Sequence, residues 1–175
     1  LLELDFKPNG ESLTRGVDAL MDLLEPRLEE FGESLYDYFF VSSFFPGVLK
    51  EIKERDEKIV KAYAINHAPP YKKFKAKIGV MLAPIIMKRV DAEIIEPNLC
   101  MVNERFVKKW HKPKRNKLIN SYTANTKGEK EYLNQFPIAF TTDCPGDCCL
   151  HDPNDPYIVA TRWCKKCDDC KDCEE

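Results

Sequence analysis

The pattern that decides the fold lies in residues 36–65, YDYFFVSSFFPGVLKEIKERDEKIVKAYAI. YDYFFVS (36–42) is rich in aromatic and β-branched residues, which is typical of a strand. A helix is predicted over about 45 to 55, since Pro46 is favoured in a first helical turn and apolar residues follow at helical spacing. KIVKAYAI (58–65) is a second strand. Strand, helix and strand in this order predict two parallel strands joined by a crossover helix.

The same alternation runs along the rest of the chain. Strands are predicted over 1–6, 36–42, 58–65, 92–97, 117–124 and 137–142. Helical patterns follow the first five strands, with Pro26 expected to end or kink the first helix and Pro84 to interrupt the third. Alternating units predict a parallel sheet. An open doubly wound sheet is one solution, although neither G-x-G-x-x-G nor G-x-x-x-x-G-K-[ST] occurs.

The second solution is a TIM barrel. A complete (β/α)₈ barrel has typically about 250 residues, and six units make three quarters of one. We therefore expect the α/β fold of a partial TIM barrel, with six parallel strands and outer helices. Because the chain starts at Leu1 in the middle of a strand pattern, we also expect a fragment or a processed chain.

Composition excludes several classes of protein. The 175 residues carry 27 Lys and Arg against 29 Asp and Glu, a net charge of -2, which argues against a strongly basic nucleic-acid-binding protein. The longest apolar run, residues 78–87, contains Pro84 and is too short to cross a bilayer.

The cysteines divide the chain into a barrel body, 1–145, and a cysteine-rich acidic tail, 146–175. Cys100 stands alone and is expected to be a buried or half-buried thiol. The others lie together near the carboxyl end: Cys144, Cys148, Cys149, Cys164, Cys167, Cys170 and Cys173. One interpretation is that these cysteines form disulfides, which would favour a secreted or lumenal protein. A Zn²⁺ site and a disordered acidic tail are the alternatives.

Residues 1–7, LLELDFK, place charges on one face of a strand. Alternation puts Leu2, Leu4 and Phe6 on the face that packs under helices, and puts Leu1, Glu3, Asp5 and Lys7 on the other. Asp5 and Lys7 lie at the carboxyl end of the strand, where barrel active sites lie. From this strand alone, a buried structural ion pair and a functional site are equally supported.

Four ordered motifs carry a family resemblance: the acid-x-Lys of Asp5 to Lys7, SSFFP (42–46), INSYTANT (119–126) and AFTTDCP (139–145). Together they resemble the glycerophosphodiester phosphodiesterase family, a TIM-barrel family whose strands typically read E-I-K, S-F, W-T-V-N and T-D-x-P. Asp5 replaces the usual Glu and Tyr122 the usual Trp. The first two strands of the family, with an H-R pair, an E-x-D metal pair and a second His, have no match here.

The resemblance implies metal-dependent hydrolysis of glycerophosphodiesters to glycerol phosphate and an alcohol, as in phospholipid degradation. It implies that Lys7 is a catalytic cation for the phosphate, that Asp5 is a ligand for Ca²⁺ or Mg²⁺, and that Ser43, Phe44 and Tyr122 bind substrate. One carboxylate holds a divalent ion poorly, so we expect little activity from this chain alone. A venom-type phospholipase D-like lyase and a non-catalytic metal-binding or interaction protein are the alternatives.

Two groups of basic residues occur in the sequence. For both, the default interpretation is that they lie on a solvated protein surface. The first follows the third strand, on the rim where active sites lie, and would be placed to contact anionic substrate or a membrane surface: Lys72, Lys73, Lys75 and Lys77. His67 lies on the same rim. The second group precedes the fifth strand, at the opposite end of the sheet: Lys108, Lys109, Lys112, Lys114, Arg115 and Lys117.

Overall fold

The computed structural model describes residues 2–6, 13–65 and 73–142. In these ranges six parallel strands form one sheet whose spatial order is the order of the chain. The strands are β1 (Leu2–Asp5), β2 (Phe39–Ser43), β3 (Lys61–Ile65), β4 (Ile94–Pro97), β5 (Leu118–Ser121) and β6 (Ala139–Phe140). The sheet curls into a half-barrel with the helices between its strands. The predicted partial TIM barrel is confirmed.

Within the described residues five α-helices connect the strands: α1 (Leu13–Phe31), α2 (Pro46–Arg55), α3 (Lys73–Val90), α4 (Glu104–Trp110) and α5 (Lys127–Leu133). Short polar side chains begin the last two helices. Asn103 accepts a hydrogen bond from the Phe106 amide at the start of α4, and Thr126 and Glu129 form a reciprocal capping box at the start of α5. Two 3₁₀ segments, Gly32–Asp37 and Leu99–Met101, complete the described connections.

Neither internal proline ends its helix. α1 continues through Pro26 to Phe31, and α3 continues through Pro84 to Val90. A proline removes one helical hydrogen bond, at about 3 kcal/mol. Both helices pack apolar side chains on the core before and after the proline: Leu24 and the partly buried Leu28 in α1, and Ala83 and Met87 in α3. Packing before and after the proline therefore keeps each helix continuous. The expectation that Pro84 interrupts α3 is wrong.

The core has one layer on each face of the sheet. Two clusters pack helices against the outer face, and Leu4 and Phe6 of the first strand region join one of them as predicted. The concave face carries a smaller cluster of Phe40, Ala62 and Ile94. Because side chains alternate along a strand, the residues two positions after these point to the same concave side. That side holds the polar residues described below.

Cys100 is exposed, so its predicted burial is wrong: it lies in the Leu99–Met101 turn, where its neighbours Leu99 and Met101 pack on the core instead. In the described ranges no helix has the length and hydrophobicity to cross a lipid bilayer. The boundary at residue 145 lies outside the described residues.

Candidate active site

A cavity of about 420 Å³ opens at the carboxyl ends of the strands. All six strands or the residues directly after them contribute to its lining: Glu3, Asp5, Ser42, Phe44, Ala64, Glu96, Tyr122, Thr123 and Thr141. This is the end at which parallel barrels place their active sites. Ala64, on β3, is small and leaves space opposite Glu96, its partner in the sheet register.

Two aromatic rings form one wall of the cavity. Phe44 follows β2 and Tyr122 follows β5, and their ring centroids lie 5.6 Å apart in an edge-to-face arrangement of 88°. The Tyr122 hydroxyl donates a hydrogen bond of 2.8 Å to the carbonyl of Ile65. Burial, together with the nearby Glu96 carboxylate, raises the pKa of Tyr122 above its usual value. The phenol therefore stays neutral and fixes its ring by this hydrogen bond.

Beneath the wall, side chains of five strand regions meet in one hydrogen-bonded network, which we call the carboxylate layer: Glu3, Ser42, Glu96, Asn120 and Thr141. Asn120 Nδ2 donates to Glu96 Oε1 at 2.6 Å and to Thr141 Oγ1 at 3.0 Å. The Thr141 hydroxyl donates to Glu3 Oε2 at 2.7 Å, and the Ser42 hydroxyl donates to Glu96 Oε2. The network joins the first described strand to the residue after the last, across the concave face.

Glu96 is the most buried acid of this layer, with 1% of its surface exposed. Burial raises its pKa to about 7, and the negative charges of Glu3 and Asp5 add to the effect. The hydrogen bonds from Ser42 and Asn120 act in the opposite direction, because they stabilise the ionised form. Glu96 can therefore gain or lose a proton near neutral pH, directly below the cavity.

Three of the predicted site residues come together in this cavity. Asp5, Phe44 and Tyr122 reach it from β1, β2 and β5, and Asp5 is solvent-exposed. Thr123, the next residue of INSYTANT (119–126), also lines the cavity. The predicted charged row on the inner face of β1 is thus present for Glu3 and Asp5.

Ser43 is placed differently from Ser42. It is fully buried, donates a 2.8 Å hydrogen bond to the carbonyl of Phe6, and accepts one of 3.2 Å from the amide of Phe45. Since neighbouring residues of a strand face opposite sides, Ser42 reaches the cavity and Ser43 fixes the chain after β1. Lys7, His67 and the seven cysteines from Cys144 onward lie outside the described residues, and so do the side chains of the rim lysines.

Sequence reasoning missed Ser42, Glu96, Asn120 and Thr141. A usable signal existed for Glu96 alone: it interrupts the apolar strand AEIIEP at a position that shares a face with the buried Ile94. An acid in a strand buried on both faces needs partners. Asn120 and Thr141 carry no comparable signal, since polar residues near strand ends are common.

The described residues do not by themselves form a metal site. Asp5 offers one carboxylate, while the oxygens of Glu3 and Glu96 accept hydrogen bonds from neutral donors. No group of three or more His, Cys, Asp and Glu side chains in the described ranges is arranged to hold an ion. Ca²⁺ takes six to eight oxygen ligands, so we assign no step of a reaction to a metal here.

No family model matches the sequence, and no curated protein sequence matches it. Solved structures do match. A phosphodiesterase of Oleispira antarctica, in complex with the product sn-glycerol-3-phosphate, superposes with a TM-score of 0.61 and 14% identity, over 82% of this chain and 51% of that one. An Agrobacterium tumefaciens structure assigned as a glycerophosphoryl diester phosphodiesterase superposes with a TM-score of 0.65 and 14% identity. The match covers 82% of this chain and 53% of that one.

A glycerophosphodiester phosphodiesterase of Parabacteroides distasonis matches with a TM-score of 0.54 and 15% identity, over 81% of this chain and 51% of that one. The chain thus spans about half the length of these structures. At such low identity the likeness concerns the fold, and at that level the predicted resemblance is confirmed. The half-barrel of this chain is similar in fold to about half of a glycerophosphodiester phosphodiesterase.

Proposed function

We propose that the cavity at the carboxyl ends of the strands is the substrate-binding side of a glycerophosphodiester hydrolase. One observation carries the proposal: the fold brings Asp5, Phe44 and Tyr122, the residues of three separate family-like motifs, into a single cavity. Barrel enzymes place their chemistry at this end of the sheet. The product bound to the Oleispira antarctica phosphodiesterase supports a small glycerophosphate compound as the ligand class.

The described residues that line the cavity can be given roles in such a site. The edge-to-face pair of Phe44 and Tyr122 offers an apolar wall to the carbon atoms of glycerol or of an alcohol group. The Asp5 carboxylate is exposed and lines the cavity, where we propose that it meets an ion or a substrate hydroxyl. The carboxylate layer forms the base of the cavity, and its Glu96 places a second carboxyl group near Asp5.

Phosphodiester cleavage concentrates negative charge on the phosphoryl oxygens, which needs a cation. We propose Lys7 for this role and Asp5 as one ligand of Ca²⁺ or Mg²⁺, with the remaining ligands and the acid–base pair supplied from outside the described residues. Asp5 alone gives too few oxygens for tight binding. We therefore expect the 175-residue chain by itself to have low or no hydrolase activity.

The test measures choline or glycerol release from glycerophosphodiesters across a Ca²⁺ and Mg²⁺ titration, using the longest natural form of the protein and the 175-residue chain. In an active form, Asp5→Ala should weaken the dependence on the ion. Lys7→Ala should lower turnover on the order of 10²–10³-fold, because a cation aimed at developing charge acts in the transition state.

Glu131→Gln is the matched control, since Glu131 is exposed on α5 and pairs only loosely with Lys127, at 4.0 Å. It should leave activity unchanged. Full activity in both Asp5→Ala and Lys7→Ala would show that the inner charges of β1 are structural. That result would also contradict the proposed substrate site.

A further inference from the structure

α3 has two apolar faces. Ala83, Met87 and Val90 are buried against the sheet, as expected for a helix outside a barrel. On the opposite side Met81 and Ile85 are 68% and 66% exposed, with Leu82 beside them at 37%. Contiguous exposed apolar side chains often mark an interaction surface, whereas single ones are common.

This exposed face lies in the middle of the half-barrel. α3 connects β3 to β4, the two central strands of the sheet. The two edge strands of the described sheet, β1 and β6, are therefore each two strands away from this position. Further polypeptide paired with those edges would leave the outer face of α3 uncovered.

Basic residues continue the apolar face. Met81 and Ile85 are four residues apart and Lys88 follows three residues later, so the three share one side of the helix. Arg89 is exposed next to Lys88. The loop before β5 lies against the same end of α3, around a cavity of about 560 Å³, and adds four basic residues: Lys112, Lys114, Arg115 and Lys117.

The position of this loop is fixed by α4. Arg115 donates a 3.0 Å hydrogen bond to the carbonyl of Lys109 and lies over the Trp110 ring, 5.3 Å from its centroid. Trp110 itself is buried. Asp91 is the one acid among the described residues that line this cavity, and it forms an ion pair with Lys53 at 3.6 Å. The loop is therefore a prearranged positive surface beside the apolar residues.

We propose that this surface, formed by Met81, Leu82, Ile85, Lys88 and Arg89 of α3 and the basic loop 112–117, docks the protein on an anionic lipid bilayer. Apolar side chains next to lysines and arginines are what interfacial membrane binding requires, with the former entering the headgroup region and the latter meeting acidic lipids. The chain as a whole carries a net charge of -2. Attraction to an anionic surface must therefore come from a local patch of this kind.

The docked orientation has a consequence for access to the cavity. Lys88 and the loop lie at the end of the sheet where strands begin, because α3 ends there and β5 starts there. The cavity with Asp5 and Tyr122 lies at the opposite end. A protein held by this surface presents the cavity to the aqueous side, where it meets water-soluble compounds rather than lipids within the bilayer.

The test is cosedimentation of the 175-residue chain with phosphatidylcholine vesicles, with and without phosphatidylserine. We expect binding to the vesicles with phosphatidylserine, weaker at high salt, and none to phosphatidylcholine alone. Lys112→Glu with Lys114→Glu should lower the partition coefficient by about 25-fold or more, at about fivefold per lysine. Met81→Ser with Ile85→Ser should lower it by about tenfold or more.

Two control variants change similar residues elsewhere. Leu23 is 61% exposed on α1, beside Asp22 and Glu25, so Leu23→Ser should leave vesicle binding unchanged. Lys50→Glu with Lys127→Glu changes the same charge on exposed residues of other helices. The proposal fails if the chain does not bind the acidic vesicles, or if control and patch variants lose binding equally. A dimer that Met81→Ser with Ile85→Ser dissociates, without vesicle binding, would assign the face to self-association instead.

The test does not depend on the proposed hydrolase, because binding is read without a substrate. Circular dichroism of each variant checks that the exposed substitutions leave the fold intact. Loss of vesicle binding with a native spectrum supports the docking surface.

Discussion

Replacing Glu96 by Gln should make the stability of the protein less dependent on pH. Gln has nearly the same shape and remains neutral. Its oxygen can still accept from Asn120, while its NH₂ group can donate to the oxygen of Ser42. The substitution therefore removes one buried ionisation with little change to the contacts of the carboxylate layer.

The magnitude follows from the pKa of Glu96, which is raised from 4.5 to about 7 in the folded protein. Below pH 4.5 the carboxyl group is neutral in the folded and the unfolded chain. Between pH 4.5 and 7 the unfolded chain loses this proton and the folded protein keeps it, so the free energy of unfolding falls as the pH rises. At about 1.4 kcal/mol for each pKa unit, the loss is about 3 kcal/mol once the pH exceeds 7.

The assay is urea denaturation followed by far-ultraviolet circular dichroism, at several pH values from 4.5 to 8, for the wild type, Glu96→Gln and the surface control Glu131→Gln. Glu96→Gln should be close to the wild type in stability at the acidic end and more stable by about 3 kcal/mol at pH 8. The control should follow the wild type throughout. If the free energy of unfolding of Glu96→Gln ran parallel to that of the wild type across this pH range, the inference that burial disfavours the ionised form of Glu96 would be refuted.

Three other substitutions test single features of the structure by the same denaturation assay. Tyr122→Phe removes the hydrogen bond to Ile65 and keeps the ring, so it should cost about 1 kcal/mol; no loss would mean that the hydroxyl does not fix the wall. Thr126→Ala removes the capping box of α5 and should cost about 1 kcal/mol, unless α5 is held by packing alone. Leu49→Ala should cost about 2–5 kcal/mol because Leu49 is fully buried; the exposed Leu23→Ala should cost under about 0.5 kcal/mol, and equal losses would contradict the described packing.

The fold was predictable because local signals agreed with the global arrangement. Each predicted strand overlaps an observed one, and α2 begins at Pro46 as the sequence indicated. Pro84 misled the prediction of α3, since a local rule for helix breaks does not include the packing on either side. Cys100 was misplaced for a similar reason: residue type suggests burial, but the turn that contains it directs its neighbours inward.

The site was predictable only in part. Asp5, Phe44 and Tyr122 could be found because alternation and motif order gave their face and their strand end. The carboxylate layer could not, because Glu3 and Thr141 are 138 residues apart and meet through the curvature of the whole sheet. Alternation says which face a residue takes, and it does not say which residues of that face lie close enough to form hydrogen bonds.

The central claim, that the cavity binds a glycerophosphate group, is tested most directly by chemical-shift mapping. The ¹⁵N-labelled 175-residue chain is titrated with sn-glycerol 3-phosphate, with and without Mg²⁺, and backbone amide shifts are followed into the millimolar range. We predict saturable shifts centred on Asp5, Phe44, Tyr122 and Thr123, absent from the loop that contains Lys112. No saturable shift at these residues, or shifts confined to the opposite end of the sheet, would contradict the account.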